Sequence, residues 1–205
     1  MTLLRHQTPE PTTMAGEDRV DSVRLVPLQP EDASLIRATA ELLVEGFRER
    51  YPDAWPTLES ALDEVRESFG PGRISRIALD EQGKVQGWIG AIPTYRGHVW
   101  EIHPVVVRLQ TQRQGIGRAL VGEVERLAKE QNVLTLWVGT DDEDDQTTLS
   151  GVDLYPNVWD HVRTVRNLGG HPYEFYQKLG FTIVGVVPDA NGWGRPDILM
   201  AKRVK

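Results

Sequence analysis

The sequence contains no cysteine, and this absence excludes several kinds of chemistry. Its 205 residues cannot form a disulfide, a thiolate metal site or a cysteine nucleophile. No stretch approaches the run of about 18 apolar residues that a transmembrane helix needs. The first residues also lack the apolar core of a signal peptide. We therefore expect a cytoplasmic protein without a membrane partner.

Basic residues are scarce relative to acidic ones. The chain has 23 Lys and Arg against 30 Asp and Glu, which gives a net charge of −7 at pH 7. This balance argues against nucleic acid as a partner and is compatible with a cationic substrate. Mild acidity also favours solubility by itself, so the net charge does not choose between these roles.

A strand, a glycine turn and a helix follow one another between Glu101 and Gln131. The first residues of this stretch are largely apolar, and from Ile116 onward apolar residues recur at spacings of three and four, as on one face of a helix. Gly115 and Gly117 lie at the turn, where the lack of a Cβ lets an anion approach the backbone. The first N–H groups of such a helix suit a phosphate or pyrophosphate. No GK[ST] of a Walker loop follows the glycines.

The periodicity of the rest of the chain predicts one mixed α/β domain. We predict strands over 23–28, 74–79, 84–92, 98–103, 133–138, 181–187 and 198–204, and helices over 30–47, 57–69, 116–131, 158–167 and 172–179. The strand over 133–138 is nearly continuously apolar, so we expect it to be buried on both faces. Residues 1–20 are rich in Pro, Thr and charge, and we expect them to form a flexible N-terminal arm before a single domain over 21–205.

Two stretches resemble motifs of the GNAT N-acetyltransferases. The run QRQGIG, from Gln112 to Gly117, resembles the acetyl-CoA signature [QR]-x-x-G-x-[GA] of that family. The run FYQKLGF, from Phe175 to Phe181, resembles the family's second motif, a helix with a tyrosine before K-x-G-F. The resemblance implies the GNAT fold, an α/β fold in which a mixed, mostly antiparallel central sheet has a splayed β4/β5 pair and helices on both faces.

The resemblance also implies acetyl-CoA as co-substrate and no metal. In the family, the strand before the glycines bulges, and its backbone pairs with the pantetheine arm. The residues that match this part of the strand are Val105, Val106 and Val107. The residues that match the pyrophosphate turn are Gln112, Arg113, Gln114, Gly115, Ile116, Gly117 and Arg118. Family members often carry an asparagine before the motif tyrosine, where this chain has Gly169, and Asn167 is the nearby alternative as a CoA contact.

Three residues are candidates for proton transfer. In the family, the tyrosine that matches Tyr176 commonly protonates the departing CoA thiolate, and a phenol that is neutral at pH 7 can do so. The acceptor amine must also lose a proton to a base, directly or through water. Glu101 lies fourteen residues before Gly115, the spacing of the catalytic glutamate in the histone-type members, and His103 faces the same side of the strand. Either residue could be the base, or Glu101 could bind a cationic substrate.

The acceptor is suggested by a run of acids after the fifth predicted strand. Residues 141–145 are all acidic, and Asp141 and Asp142 would attract a polycation, with Trp88 as an aromatic wall. The C-terminal half is also similar to bacterial aminoglycoside 6'-N-acetyltransferases, which implies a small cationic amine as substrate and a role in antibiotic resistance. The alternatives are another amine (a polyamine, an amino sugar or a protein N-terminus) and a non-catalytic acetyl-CoA-binding module. The sequence leaves a homodimer open.

Overall fold

The structure is a computed structural model that describes residues 19–20 and 23–204. The arm predicted over residues 1–20 lies outside the described residues, apart from the backbone of Arg19–Val20. The strands are β1 Arg19–Val20, β2 Val23–Pro27, β3 Ile74–Leu79, β4 Val85–Thr94, β5 Val99–Val107, β6 Thr135–Asp141, β7 Thr182–Val187 and β8 Asp197–Arg203. The α-helices are α1 Ala33–Phe47, α2 Leu58–Glu67, α3 Ile116–Glu130, α4 Val158–Arg163 and α5 Tyr173–Lys178.

All eight strands form one sheet, in the order β1-β2-β3-β4-β5-β6-β8-β7. Neighbouring strands are antiparallel except for β5 and β6, which are parallel. The predicted mixed, mostly antiparallel sheet is therefore confirmed. The pair expected as β4/β5 is β5/β6 here, because the two-residue strand β1 precedes the first predicted strand.

A core of buried apolar side chains lies on each face of the sheet. On one face, α1 and α2 pack over β3 and β4, with Trp88 and Ile77 fully buried beneath them. On the other face, α3 and α5 cover the middle of the sheet, where Leu120 and Leu136 are fully buried. Both helical layers follow from amphipathic sequences that each bury one apolar stripe.

Strand β5 contains a bulge opposite Gly90. Ile89 pairs with Val105 and Ala91 with Ile102, so His103 and Pro104 together face the single residue Gly90. A Cβ on Gly90 would collide with the main-chain oxygen of His103, and only glycine fits there. Because of the extra residue in the bulge, even-numbered side chains face one side of the sheet before it and the other side after it. Ile102 before it belongs to the core under α3, while Val106 after it belongs to the core under α1 and α2.

Strands β5 and β6 separate after a short paired segment. Their last paired residues are Glu101 and Trp137. Beyond this point β6 continues against β8 as far as Asp141, and β5 continues against β4 as far as Val107. Within residues 23–204, the edge of β5 that faces β6 is therefore without a strand partner after Glu101, as the family resemblance predicts.

The expectation that β6 is buried on both faces is wrong. Leu136 and Val138 are buried in the core under α3, but the alternate residues Trp137, Gly139 and Asp141 remain half-buried. The reason is that the α3 core takes up only one face of β6. The other face borders the opening between the two separated strands, and this opening is the candidate active site.

Candidate active site

The glycine turn before α3 has the geometry of an anion cradle. Gly115 is the N-cap of α3 and has a φ of +90°, a conformation that glycine adopts without steric cost. The first hydrogen bond of the helix runs from the N–H of Ala119 to the carbonyl of Gly115, at 2.9 Å. The N–H groups of Ile116, Gly117 and Arg118 therefore have no partner within the helix, and the positive end of the helix dipole adds to their attraction for an anion.

The two sequence motifs meet at Gly117. A Cβ at this position would lie 3.3 Å from the ring of Phe175 and 3.6 Å from the side chain of Val107. Helix α5, which carries the second motif, thus packs against the start of α3 and the end of β5. The side chains of Arg113 and Arg118 are exposed at the same turn. N–H groups without a partner within the helix, a close-packed glycine and two exposed arginines fit the pyrophosphate of acetyl-CoA.

Tyr176 is held rigidly beside this turn. Its side chain is only 6% exposed, and its ring packs edge-on against Phe175 at 5.0 Å and Phe181 at 5.4 Å between centroids. Burial raises the pKa of the phenol well above its usual value. The hydroxyl is therefore protonated across the neutral pH range and able to donate.

Glu101 and His103 lie on the opposite side of β5 from α3. Glu101 is half-buried at the point where the strands separate, and burial raises its pKa, although the charges of His103 and Arg73 act in the opposite direction. His103 is exposed, with its Nε2 3.7 Å from Oε1 of Glu64 on α2. The structure therefore brings the two candidate bases into the same opening, with α2 as a wall.

Two side chains donate hydrogen bonds to the same main-chain carbonyl at the end of β6 and hold it in place. The main-chain oxygen of Asp141 accepts hydrogen bonds from Tyr51 Oη at 2.9 Å and from His171 Nε2 at 3.1 Å. His171 Nδ1 accepts from the N–H of Tyr173 at 3.2 Å, so the neutral ring carries its proton on Nε2. Burial lowers the pKa of His171, which favours this neutral form. The half-buried carboxylate of Asp141 accepts from the side-chain amide of Asn191.

Asp142 does not face the opening, contrary to the expectation that it binds substrate. It is fully buried, and its two carboxylate oxygens accept from the N–H groups of Gln146 and Thr147, each at 2.8 Å. These bonds fold the long loop after β6 back on itself. The role of Asp142 in this structure is to stabilise that loop.

Two further expected contacts are corrected by the structure. Trp88 is fully buried in the core under α1 and α2, and its indole N–H donates to Ser75 Oγ at 3.0 Å, so it offers no surface to a substrate. Asn167 uses its side chain within its own loop. Its Oδ1 accepts from the N–H groups of Gly170 and His171, and its Nδ2 donates to the carbonyl of His171. It is thus a loop-stabilising residue rather than a side chain presented to CoA.

Asp197 is a further candidate site residue, and the sequence analysis did not predict it. It is directly opposite Asp141 in the β6/β8 register and shares one face of the sheet with Trp137 and Gly139. Its Oδ1 and the indole Nε1 of Trp137 are both buried without a hydrogen-bond partner among the described residues. Burial, followed by the charge of Asp141, raises the pKa of Asp197 to about 6. Buried polar atoms without partners are rare, and they often mark sites where a ligand completes the hydrogen bonding.

The part of the opening around Asp141 has a negative field. Besides burial, the charge of Asp141 raises the pKa of the Tyr51 phenol and of the Glu143 carboxyl. Asp197 and Glu101 lie on the same side of the sheet, and Glu101 adds to the upward shift of the pKa of Asp197. Such a field attracts an ammonium group and repels an anion.

Neither a metal site nor a membrane span is found in the part of the chain that the structure describes. Residues 23–204 contain no group of three or more His, Asp or Glu side chains that could hold a metal ion. No helix within the described residues is long and apolar enough to cross a membrane.

Comparison with known proteins identifies the family. The profile of the acetyltransferase (GNAT) family matches residues 36–148, which is over half of the chain. The chain belongs to the GNAT acetyltransferase family. It is therefore an acetyl-CoA-dependent N-acetyltransferase, and the predicted fold and co-substrate are both confirmed. A search of curated protein sequences found no match.

Several solved structures are similar to the GNAT domain described here. An aminoglycoside 6'-N-acetyltransferase complexed with coenzyme A is 40% identical, with 88% of this chain and 97% of that chain covered and a TM-score of 0.80. The aminoglycoside 6'-N-acetyltransferase from Enterococcus faecium is also 40% identical, with the same coverage and a TM-score of 0.79. An aminoglycoside 6'-acetyltransferase type Ii is 33% identical, with a TM-score of 0.66 and again 88% and 97% coverage.

Proposed function

We propose that this GNAT enzyme acetylates an amino group of an aminoglycoside, with the 6'-amine as the expected position. The observation that carries the proposal is the 40% identity, over 88% of the chain, to aminoglycoside 6'-N-acetyltransferases. A cytoplasmic location and a role in antibiotic resistance belong to the same proposal. So does the division of the chain into an N-terminal arm over residues 1–20 and one catalytic domain over 21–205.

The chemistry of the opening supports a polycationic acceptor. Glu101, Asp141 and Asp197 come from three strands but lie on one face of the sheet, where β5 and β6 have separated. An acceptor with several ammonium groups can pair with more than one of these carboxylates, which a monoamine cannot. Oδ1 of Asp197 and the indole N–H of Trp137, which have no hydrogen-bond partner within the described part of the chain, would add an acceptor and a donor for the hydroxyl and amino groups of a sugar ring.

The unpaired edge of β5 and the glycine turn would hold acetyl-CoA, which supplies the acetyl group as a thioester. Val105, Val106 and Val107 follow the bulge on this edge, and the turn from Gln112 to Arg118 offers its N–H groups to the pyrophosphate. Arg113 and Arg118 would neutralise phosphate charge.

Three proton transfers would complete the reaction. The acceptor ammonium gives a proton to the carboxylate of Glu101, directly or through water, or to the imidazole of His103. The freed lone pair then forms the new C–N bond while the C–S bond breaks. Tyr176 Oη donates its proton to the departing sulfur, and the second proton that the acylated nitrogen must lose restores the phenol, directly or through water. The raised pKa of Glu101 brings its basicity closer to neutral pH, and the raised pKa of Tyr176 keeps that donor protonated.

The decisive experiment is an acceptor panel assayed by release of the CoA thiol from acetyl-CoA. The panel contains kanamycin, tobramycin, gentamicin, spermidine, glucosamine and a short peptide. We expect turnover on the aminoglycosides, with acetylation at the 6'-amine shown by NMR of the product. Turnover restricted to spermidine, glucosamine or the peptide would overturn the proposed acceptor and leave the acetyltransferase family unaffected.

An Asp197→Asn variant tests the acceptor side of the same opening. We expect KM for the aminoglycoside to rise by about tenfold, the value of one charge-assisted hydrogen bond, while KM for acetyl-CoA stays unchanged. Glu31→Gln is the matched control, because it removes the same charge from an exposed residue before α1, at the opposite end of that helix from Tyr51. An equal rise in both variants would show a general charge effect and no specific role for Asp197.

A further inference from the structure

Arg108, the first residue after β5, is tied to two other elements. Its guanidinium pairs with Glu45 of α1 through an Nη1–Oε2 contact of 2.8 Å. Its Nε and Nη2 both donate to the carbonyl of Val85 on β4, at 3.2 and 3.1 Å, and its own N–H donates to the carbonyl of Gln86 at 2.9 Å. The side chain is only 16% exposed. Arg108 therefore joins the end of β5 to both α1 and β4.

The segment that follows Arg108 leads directly into the pyrophosphate turn and depends on the same contacts. Thr111 donates from its N–H to the carbonyl of Arg108 at 2.9 Å and from its hydroxyl to Gln86 Oε1 at 3.2 Å. Gln110 reaches the same Glu45 that pairs with Arg108, at 3.4 Å. The first residues after β5 are thus held by bonds to Arg108, Glu45 and Gln86, directly before the turn that leads to Gly115.

Helix α1 is in turn fixed to the other side of the opening. Just after the helix, Tyr51 donates to the carbonyl of Asp141 at the end of β6, and Arg50 donates to Gln146 Oε1 at 2.7 Å. Between these anchors α1 packs directly on β5, because a Cβ on Gly46 would lie 2.5 Å from a methyl group of Val106. The last turn of α1 therefore contacts β5, and the residues just after the helix contact the end of β6 and the loop that follows it.

We propose that the Glu45–Arg108 pair is a positioning pair for the acetyl-CoA turn. It holds the end of β5 and the following segment against α1, and α1 is itself held to the end of β6. The N–H groups of the turn then face the pyrophosphate without prior rearrangement. This role affects only the binding of the co-substrate, whatever amine is the acceptor. The measured Kd for CoA therefore does not depend on the result of the acceptor panel.

The competing role for Arg108 is direct contact with a phosphate, and the two roles predict opposite effects of Glu45→Gln. If Arg108 bound phosphate itself, loss of the competing carboxylate would free its guanidinium and strengthen CoA binding. If the pair positions the turn, the same change weakens CoA binding because the segment loses its anchor on α1. Arg108→Lys separates the roles again. Lysine can still act as a point charge toward phosphate, but it cannot reproduce the fork that contacts Glu45 and Val85 together.

The experiment measures the Kd for CoA by calorimetry on the full chain, together with the melting temperature. For Glu45→Gln and for Arg108→Lys we expect Kd to rise about five- to tenfold, since the loss of one partly buried, charge-assisted contact is of that size. Glu41→Gln is the control, because Glu41 lies one turn earlier on α1 in an exposed pair with Arg37 and should leave Kd unchanged. Tighter CoA binding in Glu45→Gln, or unchanged Kd with a lower melting temperature, would overturn the proposal.

The exchanged variant Glu45→Arg with Arg108→Glu provides a rescue test. It restores the ion pair across the same two elements while it removes the positive charge from the end of β5. We expect its Kd for CoA to be lower than that of Arg108→Glu alone by at least about threefold, a coupling in the range found for residues in contact. Equal Kd values for the two variants would contradict a positioning role.

Discussion

The carboxylate of Asp197 lies directly over Gly139 on the neighbouring strand. A Cβ at position 139 would come within 2.6 Å of Asp197 Oδ2 and 2.9 Å of Oδ1. Glycine is therefore required for this carboxylate to rest on the backbone of β6, at the edge of the opening that we assign to the acceptor.

Replacement of Gly139 by alanine should displace the Asp197 carboxylate. We expect KM for the acceptor to rise by about tenfold, because a misplaced charge-assisted contact loses most of its value. KM for acetyl-CoA should stay within a factor of about two, and steady-state kinetics with each substrate varied in turn measures both. The control is Gly122→Ala in α3, where an added Cβ meets nothing within 4 Å. Similar kinetics for the two alanine variants would mean that Asp197 does not contact the acceptor.

The stability of the protein should depend on pH through Asp197. Its pKa is raised from the ordinary value of 3.8 to about 6. Between these two values the unfolded chain has released the proton that the folded protein still holds, so the free energy of unfolding falls as pH rises through this window. Above about pH 6 this contribution is constant.

The Asp197→Asn variant should lack this fall in stability. We expect it to be more stable than the wild type by about 1–2 kcal/mol at about pH 7.5, and the gain should shrink toward about pH 4. Urea unfolding at the two pH values measures the difference. A gain of the same size at both values would show that it arises from packing and not from the titration of Asp197.

Loss of the Tyr176 hydroxyl should affect chemistry and leave folding and CoA binding intact. We expect Tyr176→Phe to lower kcat by about 100-fold, the usual contribution of a general acid. Because the ring keeps its edge-on contacts with Phe175 and Phe181, Kd for CoA and the melting temperature should remain close to the wild type. Retention of full kcat in this variant would exclude Tyr176 as the proton donor to the thiolate.

Asp142 should matter for stability and not for acceptor binding. Asp142→Ala removes the acceptor of two buried N–H groups, so we expect the free energy of unfolding to fall by about 2–3 kcal/mol. Asp145→Ala is the comparison, since the exposed Asp145 accepts a hydrogen bond from the Ser150 hydroxyl at the surface, and its loss should cost less than about 1 kcal/mol. Denaturant unfolding of both variants measures the two losses in the free energy of unfolding. A stable Asp142→Ala enzyme with a high acceptor KM would restore the role that the sequence suggested.

Local sequence patterns predicted the elements that depend on neighbours along the chain. The helix from Ile116 and the strand over Ile74–Leu79 were predictable because their apolar spacing is periodic. The bulge at Gly90 was indicated by a glycine within a strand. The spacing between Glu101 and the glycine turn likewise indicated that Glu101 and His103 lie near the site, although the pairing of β5 with β6 was not known.

The remaining site residues depend on register between distant strands, which the sequence does not display. Asp197 faces Asp141 only because β8 returns to pair with β6 in one particular alignment. Tyr51 lies outside the predicted helix over 30–47, and its hydroxyl binds a carbonyl 90 residues away in sequence. The predicted substrate contacts of Trp88 and Asp142 were wrong for a different reason. Both side chains could bind a ligand, but Trp88 instead bonds to Ser75 within the core and Asp142 bonds to the N–H of Gln146 within a loop.

The bulge at His103 and Pro104 divides β5 into two segments with independent orientations. Before it, Glu101 and His103 face the acceptor side, and after it Val105 and Val107 pack toward the α3 side, next to the co-substrate turn. We therefore expect substitutions at positions 101 and 103 to affect the reaction of the amine and to leave the binding of CoA unchanged. Within this one strand, a single extra residue separates a segment whose alternate residues face the acceptor side from a segment whose alternate residues face the α3 side.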